Sequence, residues 1–140
     1  MTWLIYALLS AVFAALTAIL AKIGIKNVDS NLATAIRTIV ILLFAWGIVW
    51  QQKTFTLLPS ISRFSLLFLI LSGIATGLSW LFYFKALQMG NAARVSPIDN
   101  LSLVITIILA VVILKEKITF LVALGAILMT IGGILIGLGR

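Results

Sequence analysis

The 140-residue chain contains no cysteine, no histidine and only three acidic residues, Asp29, Asp99 and Glu116. The first two absences remove disulfide frameworks, thiolate nucleophiles and the usual transition-metal ligands. With three carboxylates and no histidine, the base–nucleophile pairs of hydrolytic catalysis are hard to assemble, so an enzyme is not expected and neither a metal nor a cofactor is implied. No G-x-x-x-x-G-K-[ST] occurs, which excludes a nucleotide-driven motor of that type. Charge is scarce altogether: 9% of residues are charged and 64% are hydrophobic, against roughly a quarter charged in a soluble domain. The expected solvent is a lipid bilayer.

A spanning helix needs about 20 predominantly apolar residues. Five segments qualify: Thr2–Ala21, Ser30–Trp50, Phe64–Phe84, Val95–Leu114 and Ile118–Leu138. The first has no basic stretch ahead of it and reads as a mature helix rather than a secretory signal. The connections KIGIKNVD, QQKTFTLLPSISR, KALQMGNAAR and KEK are short, and no alternating pattern suits a barrel. The expected fold is therefore all-α, one polytopic five-helix domain over residues 1–140. Trp3, Trp46 and Trp50 fall near one interface, as an aromatic belt would.

The net charge of +7 is spread over both membrane faces rather than gathered into a nucleic-acid patch. The face holding the N-terminus receives Lys53, Arg63, Lys115 and Lys117; the other receives Lys22, Lys26, Lys85, Arg94 and Arg140. Four against five, with the terminal amine added to the smaller group, leaves almost no bias to fix orientation. Such a chain is expected to insert both ways and to pair with an inverted copy of itself. Transporters built from two inverted repeats hold substrate near the midplane, where the repeats meet. Gly73 with Gly77, and Gly133 with Gly137, form G-x-x-x-G pairs suited to close helix packing, either within one chain or at a dimer contact.

Two polar features interrupt the apolar pattern. SPIDNLS at 96–102 places Pro97 ahead of the fourth apolar run. Proline is tolerated in a helix's first turn and restricts the residue before it, so the fourth helix is expected to start at Ser96–Pro97, with Asp99 in the first turn facing the positive helix end. Arg37 is the one charge well inside a span, about 10 Å in from Ser30 at 1.5 Å per residue. Burial there costs at least ~2.5 kcal/mol without a partner or water. Three readings stay open: a structural pair with Asp99, snorkelling to the nearer face, or exposure to an aqueous cavity where it meets substrate. Asn100, Ser79, Trp80 and Tyr83 complete the candidate site, Trp80 and Tyr83 sharing a helix face. Their rings suit either an interface belt or a wall for a flat or cationic ligand.

The run YFKALQMGNAARVSPIDNLSLVITIILAVVILKEKITFLVALGAILMTIGGILI resembles the carboxyl part of an EamA domain, the five-helix repeat of the drug/metabolite transporter superfamily. Its Tyr-x-x-Ala-Leu-x-x-Gly at 83–90, Val-x-Pro at 95–97, Glu116, Gly125 and Gly132–Gly133 carry the likeness, and AVFAALTAILAKIGIKNVDSNLATAIRT resembles the domain's opening. One departure is Lys115, where the family often has glycine before the glutamate. Typical members carry two copies of the domain, whereas one is seen here. The resemblance implies one half of a ten-helix secondary transporter, completed by antiparallel homodimerisation, moving a small metabolite by alternating access in a prokaryotic plasma or inner membrane, with lipid and substrate as partners and no nucleic acid. Small multidrug-resistance-type cation efflux is an alternative of similar size, but the acid such proteins carry in the first helix is missing from WLIYALLSAVFAALTAILA. A non-transporting subunit of a heteromeric complex is the other.

Overall fold

A computed structural model describes residues 2–139; Arg140, counted in the charge balance above, lies outside them. The described residues are helical throughout and contain no strand: α1 (Thr2–Gly24), α2 (Ser30–Gln51), a 3₁₀ turn (Thr54–Ser60), α3 (Arg63–Met89), α4 (Ala92–Asp99), α5 (Leu101–Ile113) and α6 (Phe120–Leu138). With α4 and α5 taken as one interrupted segment, Ala92–Ile113, five helices are long and apolar enough to cross a membrane.

The fourth span differs from the sequence expectation. Its helix begins at Ala92, ahead of Ser96–Pro97, because the Asn91 carbonyl accepts from the Arg94 and Val95 N–H groups at 2.9 and 3.0 Å. Pro97 therefore lies inside α4 rather than in its first turn. Lacking an N–H, it leaves the Ala93 carbonyl without its helical donor, and its ring crowds that carbonyl. The helix ends two residues later at Asp99, turns at Asn100, and resumes at Leu101. Asp99 thus closes α4 instead of capping a helix start. The aspartate that caps is Asp29, whose carboxylate accepts from the Asn31 and Leu32 N–H groups at 2.9 and 3.1 Å at the start of α2.

The chain forms two compact units. One comprises Met1–Leu20 and Met89–Arg140. Here α6 lies against both α4 and α5, and two glycines set the approach. A Cβ at Gly133 would come within 3.2 Å of the Pro97 carbonyl oxygen and of Leu101 Cδ2, and one at Gly137 within 2.9 Å of Ile98 Cδ1. This G-x-x-x-G pair packs inside the chain, against the interrupted helix. Close backbone approach maximises dispersion contact where lipid offers helices no hydrophobic drive to associate.

The other unit comprises Ala21–Gln88. Its buried residues, Ile25, Ser30, Thr34, Phe84 and Leu87, gather where the ends of α1 and α3 meet the start of α2. The Lys22 ammonium donates to the Leu87 carbonyl at 2.6 Å, and the Gln88 amide to the Val28 carbonyl at 3.1 Å. Lys22 so serves a carbonyl in the last turn of α3, at the negative end of its dipole. The second G-x-x-x-G pair behaves differently from the first: nothing lies within 4 Å of a Cβ placed at Gly73 or Gly77.

Two lysines take the left-handed conformation, Lys53 (φ 57°) and Lys115 (φ 56°), each just past a helix end. Glycine adopts this region without steric cost, which accounts for the glycine that the resembling family often carries at the position of Lys115. Three outcomes are expected from thermal unfolding in detergent. Lys115→Gly should stabilise by up to about 1 kcal/mol, since a left-handed L residue costs about that much. Gly133→Val should destabilise by about 1–3 kcal/mol, because the Pro97 backbone cannot yield, while Gly73→Val on the open face should stay within about 0.5 kcal/mol.

Candidate functional site

In the Ala21–Gln88 unit the site is built from α2 and α3. Arg37 projects from α2, half-buried, with its guanidinium carbon 4.5 Å from the Trp80 ring centroid and 5.1 Å from that of Phe84. Trp80 and Phe84 are four residues apart on α3, hence one above the other on a single helix face. Their ring quadrupoles present negative faces to the cation, each worth about 0.5–1 kcal/mol where solvent reaches and ~2 kcal/mol where it does not. Together they offset much of the ~2.5–3.5 kcal/mol that a central arginine costs.

Sequence reasoning had paired Trp80 with Tyr83 and passed over Phe84. Phe84 is buried, and the half-buried Tyr83 meets it edge-on with centroids 6.2 Å apart. The available signal was the i, i+4 spacing from Trp80 opposite a lone intramembrane arginine. Ser79, beside Trp80 in the chain, is exposed. On α2, one turn before Arg37 and directly after it, the Thr34 hydroxyl donates to the Ser30 carbonyl and the Thr38 hydroxyl to the Thr34 carbonyl, both at 2.8 Å, so these hydroxyl protons are committed to the helix itself. The one carboxylate of this unit, Asp29, is occupied with capping α2. Inside its unit Arg37 is therefore set against aromatic rings of α3, with no carboxylate available to pair with it.

Asp99 and Asn100 belong to the other unit, at the α4–α5 interruption, and both are exposed. The Asn100 N–H donates to the Ser96 carbonyl at 3.0 Å and its carbonyl accepts from the Leu103 N–H at 3.0 Å, so the backbone turns without losing all its bonds. The Asn100 side chain makes no capping bond to α5. Two polar side chains thus stand beside a break in an otherwise apolar span. No group of three His, Cys, Asp or Glu side chains suited to a metal occurs among the described residues.

Comparison with known proteins agrees with this membrane architecture. The EamA-like transporter family matches over residues 1–138. A protein of Sinorhizobium sp. named "Uncharacterized transporter in cobO 3'region" is 46% identical over 140 residues, the match covering 96% of each chain. No solved structure matches the chain. Five apolar helices and a family match over nearly all of the sequence lead to one conclusion: this is a multi-pass membrane protein that belongs to the EamA-like transporter family.

Proposed function

We propose that the protein is a secondary transporter of a small anionic or zwitterionic metabolite, working by alternating access as an antiparallel, dual-topology homodimer in a prokaryotic cytoplasmic membrane. The observation that carries the substrate class is the seat of Arg37. Its guanidinium already covers the faces of Trp80 and Phe84, so those rings are not free to receive a lipophilic cation, and the arginine would repel one. A carboxylate or phosphate gains instead from a charge that no acid of the same unit neutralises. In the other unit, Asp99 at the interrupted helix is the candidate proton acceptor, since broken helices line transport sites in other inverted-repeat carriers. The dimer is supported by the near-equal distribution of basic residues over the two faces. Transport itself is supported by the family match and by a relative that bears the name transporter.

Three measurements test this reading. A topology reporter fused at the C-terminus should signal from both sides of the membrane in comparable amounts; a single side would overturn the inverted homodimer. In a binding screen against purified protein, anionic or zwitterionic metabolites should bind, and Arg37→Gln should weaken them by about 10–100-fold, the range of a lost charge-assisted hydrogen bond, with unfolding still cooperative. Hits confined to lipophilic cations and indifferent to Arg37 would sink the proposed substrate class. Asp99→Asn should abolish proton-driven accumulation and leave substrate exchange intact; an unchanged pH response would remove Asp99 from coupling.

A further inference from the structure

At the opposite end of α2 from Asp29, Trp46, Val49 and Trp50 line one helix face at i, i+3 and i+4 spacing. The chain then reverses at Lys53, in left-handed conformation, and the 3₁₀ turn brings Phe55 back alongside. The Lys53 N–H donates to the Trp50 carbonyl at 3.0 Å and the Thr54 hydroxyl to the Val49 carbonyl at 3.3 Å, which ties the turn to the helix end. Between these four side chains lies an open cleft of about 270 Å³.

The lining is three aromatic rings and a valine, with no carboxylate, amide or hydroxyl side chain. A polar metabolite placed there would lose its water without gaining partners; a hydrocarbon chain would lose nothing. Within the Ala21–Gln88 unit the charges near the cleft in the chain are of one sign. Lys53 stands in the connection from α2 to α3 and Arg63 opens α3, and no acidic residue occurs between Asp29 and Asp99. Asp29, at the far end of the 22-residue helix α2, is separated from the cleft by about 30 Å at 1.5 Å per residue, beyond several Debye lengths. An apolar cleft beside unopposed cations suits an amphiphile with an anionic head.

We propose that this cleft is a binding site for an anionic phospholipid: one acyl chain lies against Trp46, Val49, Trp50 and Phe55, and the headgroup phosphate is held by the Lys53 ammonium. An aromatic belt acting alone would accept any lipid equally, so headgroup selectivity is what distinguishes a built site from a belt. The site is independent of the transport reading above, because none of its residues belongs to the Arg37 cluster.

The test uses the full chain in mixed micelles, with Trp3→Phe and Trp80→Phe introduced so that Trp46 and Trp50 are the remaining indoles of the four. Indole quenching is measured with phosphatidylglycerol or phosphatidylcholine carrying brominated acyl chains. Half-maximal quenching is expected at about five-fold lower mole fraction for the anionic lipid, the selectivity that one interfacial lysine confers, and the preference should shrink as salt is raised. Lys53→Gly removes the cation while suiting the left-handed turn, so it should unfold no earlier than the parent and lose the preference. Lys53→Arg should keep it. Equal quenching by the two lipids in the parent, or a preference that survives in Lys53→Gly, would overturn the proposal.

Discussion

Arg37 places a positive charge about 10 Å along a helix whose other side chains, apart from Asn31 and Gln51 near its ends, are apolar or hydroxylic, in a solvent that cannot hydrate it. The chain answers with two aromatic rings from α3 rather than with an acid from the same unit, and much else in that unit follows. Rings at 80 and 84 must face α2, which fixes the rotation of α3. That rotation buries Phe84 and Leu87 and brings the last turn of α3 to Lys22 and Val28, where side-chain donors and carbonyls meet. Within that unit the only carboxylate, Asp29, is occupied in capping α2.

A second constraint operates in the other unit and concerns the backbone. Pro97 cannot donate, and in hydrocarbon a carbonyl without a donor is costly. The interruption at Asn100 confines that loss to one turn. Gly133 and Gly137 let α6 approach the weakened stretch closely, with the Pro97 carbonyl oxygen and Ile98 against the two glycines. Small residues on one helix and a broken helix opposite are thus two halves of one packing solution. Exposed polar side chains, Asp99 and Asn100, emerge at the break.

The α2–α3 connection shows how a local backbone decision shapes a surface cleft. A lysine held left-handed reverses the chain tightly enough for Phe55 to fold back over the last turn of α2. Tryptophans that sequence alone assigns to an interfacial belt become walls of a cleft.

The membrane-spanning character, the count of five spans and the family likeness were all legible in the sequence, because hydrocarbon imposes a length and a composition on every helix that crosses it. The lone arginine and the polar interruption at 96–102 were equally legible, since each is costly enough to stand out. What sequence could not rank was the partner of each feature. Asp99 was expected to cap a helix start, and Pro97 to open that helix; the Asn91 carbonyl started the helix earlier and turned proline into the cause of a break. Two identical G-x-x-x-G patterns had the same reading, yet one meets a neighbouring backbone and the other faces open space. Phe84 joins Trp80 at Arg37 because helical phase brings the i+4 ring to the same face once α3 turns that face toward α2. Apolar length is a property of each segment by itself, so the sequence by itself determined it; which side chain meets which depends on how helices are rotated and spaced, and only the tertiary structure decided that.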